Sequence, residues 1–334
     1  LTALGFSESL EIAKHSSFLG NGLGTFEQSF LKYNPQMIQD STHTESFSTI
    51  LNILNDLGMF GLFLFLLPFS FGIIKGFKRF LKKEQDNLEK MSFISFFILF
   101  ILSFFYFLDL ILMLLLFLFL GLFAGTKGKT ILFKNLKPFH IFLIIACLSL
   151  TLMSIIVINY FNSLNYFSEA YYNLALEKYQ DDEEIAIEYL NKSNAFLKKD
   201  KTQIGLSQLY LLKASELYTE SRLLETKEEE REEKKQACED FILLSEKTAL
   251  SGTEINPFNY SAWVNLGNIY NNRRYLRDEE LENETIDAYK KAIELAPYTK
   301  EAYIAIIQVF SELGDVEKRE EFVEKIRIID KNYL

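Results

Sequence analysis

The sequence predicts an all-α protein in two parts: a polytopic helical membrane bundle, then a soluble domain of helical repeats. Four uncharged apolar runs of 17–24 residues occur before residue 162, and each can cross a hydrocarbon core of about 30 Å. Charge is divided unevenly as well. Residues 1–161 hold 12 Lys and Arg against 10 Asp and Glu, whereas residues 162–334 hold 23 against 35. This acidic second part argues against nucleic acid as a partner, because it would repel phosphates.

The apolar runs predict about four spans, at 57–74, 91–108, 110–126 and 138–161. The second and third runs are separated only by Asp109. A single helix over 91–125 would be about 52 Å long, which is too long for one span. We therefore predict a tight helical hairpin with Asp109 at its turn. The alternative is one long tilted helix with a buried Asp, which would be costly.

The loops between these runs orient the chain. Residues 75–90 contain six cations, and residues 126–137 contain four cations and no acid. Short loops rich in Lys and Arg stay in the cytoplasm. The sequence therefore predicts an external segment (1–56), a transmembrane region (57–161) and an external repeat domain (162–334). This arrangement fits a bacterial cytoplasmic membrane, with the C-terminal domain periplasmic or extracellular. We interpret the chain, which begins Leu-Thr-Ala, as the C-terminal part of a longer protein.

The external segment contains three alternating glycines, Gly20, Gly22 and Gly24, between two phenylalanines. No predicted strand precedes them, so the context of a dinucleotide-binding loop is missing. A turn that needs positive φ is the plain structural interpretation. Further along, Thr44 is a candidate helix cap, and the helix that follows is expected to continue without interruption into the first span.

The order of these features resembles the O-antigen ligase family, which includes O-antigen polymerases and the oligosaccharyltransferases of pilin-type proteins. The stretch FLGNGLGTF is followed by a Tyr-containing loop, by His43 and by a helix that ends NDLGMFG. The matching residues are Gly20, Gly22, Gly24, Phe26, Asp56, Gly58 and Gly61. Two features depart from the family. Its His usually precedes Asn and lies about one helical turn closer to the Leu-Gly-x-x-Gly motif, and residues 1–74 here contain no Arg.

The resemblance implies a glycosyltransferase that needs no metal and no cofactor. Such an enzyme transfers a glycan from a polyprenyl pyrophosphate to an acceptor hydroxyl outside the cytoplasmic membrane. His43 would be the base that accepts the proton of the acceptor or the residue that orients it; otherwise it is a loop histidine near the membrane surface. The candidate substrate-binding residues are Gly20, Gly22, Gly24, Glu45, Lys14 and Lys32. Glu45 would position the imidazole of His43; the favoured alternative is that it faces solvent.

The acidic part contains an internal repeat. Residues 262–270 and 285–297 resemble the two helices of a tetratricopeptide repeat, with about six residues inserted between them. The matching, packing residues are Trp263, Leu266, Gly267, Tyr270, Tyr289, Ala292 and Pro297. Weaker copies cover residues 170–190, 203–250 and the stretch from residue 302 onward.

Stacked helix pairs normally create a surface that binds a peptide or a partner protein. The alternative role of the repeats is a helical cap that stabilises the membrane part. Three functions follow from these features: a glycan ligase or polymerase, a protein O-oligosaccharyltransferase whose repeats present the acceptor protein, and a non-catalytic membrane scaffold. The expected partners are the lipid bilayer, a polyprenyl-linked glycan and a possible protein on the repeats.

Overall fold

The computed structural model describes residues 4–22, 24–33, 46–81, 87–125, 138–179, 181–223, 228–277 and 280–329. Within these ranges every regular element is a helix, in agreement with the predicted class. The chain forms two compact units, Leu1–Leu136 and Lys137–Leu334, and each is described by itself.

The described residues of the first unit form five helices: α1 (Leu4–Lys14), α2 (Phe26–Tyr33), α3 (Thr49–Leu81), α4 (Asn87–Phe105) and α5 (Leu110–Gly125). By length and composition, α3 and α4 are long and apolar enough to cross a membrane. The same holds for α6 (Pro138–Lys178) of the second unit, whereas α5 is apolar but shorter, at 16 residues.

The predicted hairpin is present between α4 and α5. The turn that joins them contains Asp109, whose Oδ1 accepts a hydrogen bond from the Leu112 N–H (2.9 Å). The carboxylate thus caps the first turn of α5, where free N–H groups favour a negative charge. The alternative of one long tilted helix is wrong.

The predicted continuous helix into the first span is also wrong, because α3 is broken at Gly58 (φ 67°, ψ −169°). The start of α3 is capped by Ser48, whose Oγ accepts a hydrogen bond from the Leu51 N–H (3.2 Å). The predicted cap, Thr44, lies outside the described residues. Phe47 precedes the helix and packs on the ring of Tyr106 (6.2 Å between centroids).

Close packing of α3 on its neighbours depends on two glycines, one turn apart, that the sequence analysis did not single out. A Cβ on Gly76 would lie 2.6 Å from Cζ of Phe93, and one on Gly72 would lie 2.6 Å from Cδ1 of Leu120. Small residues at this spacing let membrane helices approach closely. The core between the three helices is formed by Phe69, Phe93, Phe96, Leu108, Leu116 and Phe123.

The ring contacts show that α3 and α4 run antiparallel. Phe69 lies 5.4 Å from Phe100, and Phe77, two turns later, lies 6.2 Å from Phe93. Following α3 back toward its break at Gly58 therefore leads to the level of the α4–α5 turn.

The first turn of α3 lies at that level too. The N–H and the hydroxyl of Thr49 donate to the Tyr106 carbonyl (3.2 and 3.3 Å), and Oγ1 of Thr49 accepts from the Leu108 N–H (2.8 Å). Because both of its ends are at the level of the turn, the part of α3 before the break (49–57) runs across the end of the hairpin.

The second unit is a series of helical hairpins. Its further helices are α7 (Glu183–Phe196), α8 (Asp200–Leu223), α9 (Glu228–Ile255), α10 (Tyr260–Arg277), α11 (Glu282–Leu295), α12 (Glu301–Glu312) and α13 (Val316–Ile329). The end of α6 pairs with α7, and the others pair in order along the chain. The predicted boundary at residue 161 falls inside α6, because no Gly or Pro interrupts that helix after Pro138.

The best-matching repeat pairs α10 with α11 through a glycine. The ring of Tyr289 packs directly on Gly267, where a Cβ would lie 2.6 Å from Cε1 of Tyr289. The Tyr289 hydroxyl donates to Oδ1 of Asn268 (2.7 Å). The predicted insertion is accommodated by a longer first helix, since α10 has 18 residues and α12 has 12.

We expect Gly267→Ala to destabilise the second unit by about 1–3 kcal/mol, because the added methyl group overpacks the contact with Tyr289. The matched control is Gly252→Ala in α9, where a Cβ would lie 3.4 Å from Cβ of Gln203. There the higher helix propensity of Ala favours stability by up to about 1 kcal/mol. Urea unfolding of the full chain in detergent, followed by circular dichroism, measures both. Equal stability of the two variants would contradict the packing role of Gly267.

Candidate functional site

The glycine loop, defined as residues 18–24, has the backbone that its sequence predicts. Gly20, Gly22 and Gly24 have φ values of 87°, 115° and 72°. These values lie in the left-handed region that favours glycine. Leu23 lies outside the described residues.

The loop docks on the break in α3. The Asn21 N–H donates to the Asn55 carbonyl (2.8 Å), and the Gly22 N–H donates to the Asp56 carbonyl (3.1 Å). In return, the Phe18 carbonyl accepts from the Phe60 N–H (3.3 Å). An uninterrupted helix would use such groups in its own ladder of bonds, so the break makes them available to the loop.

The contact is so close that only glycine fits on either side. A Cβ on Gly20 would lie 2.6 Å from the Gly58 nitrogen, and a Cβ on Gly58 would lie 2.6 Å from the Phe18 carbonyl carbon. Both positions also have positive φ. Glycine is therefore required at each for two independent reasons, conformation and space.

A buried carboxylate completes the contact. Oδ2 of Asp56 accepts the Gly24 N–H (3.0 Å), and Oδ1 accepts the side-chain amide of Asn55 (2.9 Å). The amide of Asn21 donates to Oδ1 of Asn55 (3.0 Å). Since the N–H groups of residues 20, 21, 22 and 24 all donate within the protein, the loop serves to position the segment rather than to bind a phosphate through these groups.

The two lysines of the predicted substrate site lie at neighbouring helix ends. Lys14 ends α1 and pairs with Glu11 (2.7 Å), and Lys32 lies near the end of α2, above the ring of Tyr33 (5.5 Å). The ring of His15 stacks on Tyr33 (4.5 Å between centroids, 6° between planes), which brings the two helix ends together. His43 and Glu45 lie outside the described residues, so their predicted roles stay predictions.

Several polar residues that hold this region were missed in the sequence analysis. Oγ of Ser9 accepts the Phe47 N–H (3.1 Å). The other missed residues are those whose hydrogen bonds are given above: Asn21, Asn55 and Thr49. A signal was available, because Asn55 and Asp56 are polar residues at the entrance of an apolar helix. Within the described residues, no three His, Cys, Asp or Glu side chains could hold a metal ion together.

The second surface of interest lies on the first helices of the hairpins. Helix α10 packs beside both α8 and α12, whereas α9 and α11 each pack on the first helix of the next hairpin. Helices α8, α10 and α12 therefore form one layer. Each carries an exposed amide at the equivalent position, at Gln208, Asn268 and Gln308, and we call these three residues the amide row.

The equivalence of α10 and α12 is visible in their contacts. The indole N–H of Trp263 donates to the Pro257 carbonyl (2.9 Å), and the hydroxyl of Tyr303 donates to the Pro297 carbonyl (3.1 Å). Each aromatic residue thus binds the proline carbonyl six residues before it. The second unit therefore contains repeats of the tetratricopeptide type.

Charged contacts from α10 tie the hairpins together. Arg273 pairs with Glu246 of α9, and Arg274 pairs with Glu312 of α12 (2.6 Å) and lies 4.0 Å from Glu282 of α11. Burial, helped by the charge of Glu312, raises the pKa of Tyr289. Its hydroxyl therefore remains a neutral donor to Asn268 at physiological pH.

No protein-family model matches the chain, and no curated protein matches it. Among solved structures, it is similar to YrrB, described as a TPR protein with an unusual peptide-binding site. That similarity has 15% identity and a TM-score of 0.26, over 49% of this chain and 86% of that one. MamA AMB-1 has 18% identity and a TM-score of 0.25, over 49% and 92%. MamA MSR-1 has 18% identity and a TM-score of 0.27, over 52% and 99%.

We expect Gly58→Ala to detach the glycine loop from α3. The left-handed backbone alone makes a residue other than Gly cost about 1–3 kcal/mol, and the added Cβ would also clash with residue 18. Gly24→Ala is the matched control, because its φ is also positive but a Cβ there would meet nothing within 4 Å.

Trypsin cleavage after Lys14 and Lys32, which flank the loop, measures the difference in the detergent-solubilised chain. Cleavage should be much faster in Gly58→Ala than in Gly24→Ala. Equal rates in the two variants would show that the close contact does not hold the loop.

Proposed function

We propose that this chain is part of a membrane-bound glycosyltransferase of the O-antigen ligase or polymerase type. It would transfer a polyprenyl-pyrophosphate-linked glycan to an acceptor hydroxyl outside the cytoplasmic membrane of a bacterium. The supporting observation is the contact between Gly20 and Gly58. These residues belong to the two separate stretches that carry the family resemblance, and the fold joins them through backbone hydrogen bonds and Asp56.

In this proposal, the acceptor oxygen attacks the anomeric carbon while the bond from that carbon to the pyrophosphate oxygen breaks. His43 takes the proton of the acceptor hydroxyl. The departing pyrophosphate keeps the bonding electrons, and cations stabilise its charge. Lys14 and Lys32, at the adjacent ends of α1 and α2, are the candidates for this role in the external segment. A polyprenyl tail stays in lipid while its sugars remain in water, so the membrane surface suits this reaction.

The test compares two histidines of the external segment. Membranes that contain the full-length protein are given lipid-linked glycan and acceptor, and glycan transfer is measured. We expect His43→Ala to lower the rate by about 10²–10⁴-fold, the usual contribution of a general base. The control is His15→Ala, which removes the ring stacked on Tyr33 and the contact of His15 with Glu11 (3.8 Å). His15 takes no proton in the proposed transfer, so its loss should lower the rate far less than the loss of His43. Unchanged transfer by His43→Ala would remove this histidine from the mechanism.

A protein O-oligosaccharyltransferase is the second candidate, and the amide row supports it. Exposed amides repeated along one layer of helices can donate to and accept from a peptide backbone. In this version, the repeats hold the acceptor protein while the membrane part carries out the transfer. A non-catalytic scaffold would use the same surface without any transfer.

Transfer kinetics with a protein acceptor and with a saccharide acceptor distinguish the protein O-oligosaccharyltransferase from the glycan ligase or polymerase. If the repeats hold a protein acceptor, Gln208→Arg with Gln308→Arg should raise KM for that acceptor at least tenfold and leave kcat unchanged, since only uniform binding is lost. Transfer to a saccharide acceptor should not change. Lys290→Glu, an exposed charge change on α11, is the control. An unchanged KM would leave the amide row without a role in acceptor binding.

A further inference from the structure

The glycine loop presents two large apolar side chains away from the protein. Phe18 is 68% exposed and Leu19 is 71% exposed. Their neighbours on the chain, Ser17 and Gly20, are polar or small, and the loop has no apolar partner for Leu19 among the core clusters of the described residues. Contiguous exposed apolar surface on a protein marks a site of contact with another protein, a ligand or a membrane.

We propose that Phe18 and Leu19 insert into the outer leaflet of the bilayer and anchor the glycine loop in lipid. The inference depends on α3 crossing the membrane and is independent of glycosyl transfer. The ligand is the acyl-chain region just below the lipid headgroups.

The depth of Phe18 follows from its contacts with α3. Its carbonyl accepts the Phe60 N–H (3.3 Å), and the two rings lie 6.2 Å apart. Phe60 is in the first turn after the break at Gly58, where the apolar part of α3 begins. Phe18 is therefore held at the depth at which the span enters the hydrocarbon region.

The surface of the loop is continuous with the lipid-facing surface of the span. Met59, Phe60 and Phe63 are exposed beside it, with Phe63 at 62%. The same exposure continues along the helix at Leu64, Leu67, Phe71 and Ile74. Phe60 belongs to this exposed surface and its ring packs on that of Phe18. Lipid that covers Phe60 would therefore also cover Phe18.

The backbone of the loop after Leu19 makes its hydrogen bonds within the protein. A peptide segment can lie near hydrocarbon only if its N–H and C=O groups are satisfied within the protein. The N–H groups of Gly20, Asn21 and Gly22 donate to carbonyls of Ser17, Asn55 and Asp56. The bonds of Asn21 and Gly22 thus reach α3, whereas the side chains of Phe18 and Leu19 are the exposed part of the loop.

The chain has one tryptophan, Trp263, and its fluorescence is removed first so that a single reporter can be read. The full chain with Trp263→Phe is reconstituted into phosphatidylcholine vesicles, and Phe18→Trp is added as the reporter. Lipids brominated either near the headgroup end or near the methyl end of the acyl chains quench its fluorescence. Phe63→Trp in the span is the positive control. Leu244→Trp on α9, at a position that is 40% exposed, is the negative control.

We expect Phe18→Trp to emit at blue-shifted wavelength and to be quenched at least half as strongly as Phe63→Trp, more by the shallow bromines than by the deep ones. Leu19→Trp should behave in the same way and serves if Phe18→Trp does not fold. Red-shifted emission with no more quenching than Leu244→Trp would place the loop in water and overturn the proposal. Blue-shifted emission without quenching would mean that protein covers the two residues, which overturns it as well.

Discussion

The backbones of Gly20 and Gly58 touch, and the part of the first unit that precedes the break in α3 depends on that contact. Neither position has room for a Cβ, so the loop can approach α3 closely enough for its N–H groups to reach the carbonyls of Asn55 and Asp56. The break at Gly58 redirects α3 across the end of the α4–α5 hairpin. One contact therefore sets the course of the chain before the apolar part of α3 and the position of the glycine loop.

Glycine has a related role in both units, although the surroundings differ. In the first unit, Gly76 lets the ring of Phe93 pack directly on α3, and in the second unit Gly267 does the same for the ring of Tyr289. Burial from water drives the packing of the repeats. Helices α3 and α4 are long and apolar enough to cross a membrane, and between helices in lipid close van der Waals contact would take the place of that drive. A glycine under an aromatic ring therefore allows close packing both between the apolar helices α3 and α4 and between the repeat helices α10 and α11.

Sequence reasoning worked best where a local chemical signal was strong. The hairpin at Asp109 was predictable because a charge between two apolar runs has few tolerable places, and the repeat around Trp263 was predictable from its spacing. Reasoning failed at Gly58, because a glycine within an apolar helical pattern does not by itself distinguish a tolerated residue from a break. The cap at Ser48 was missed because Thr44 satisfied the same local rule.

By itself, the sequence determined the helical class, the apolar runs, the hairpin turn and the repeat with its insertion, because each depends on the composition or periodicity of a short stretch. Only the tertiary structure decided that the glycine loop docks on the break in α3 and that Phe18 lies at the depth of Phe60. These features join residues more than thirty positions apart. Local propensity carries no information on which distant backbones will meet, so the close approach of two glycines becomes visible only in the folded chain.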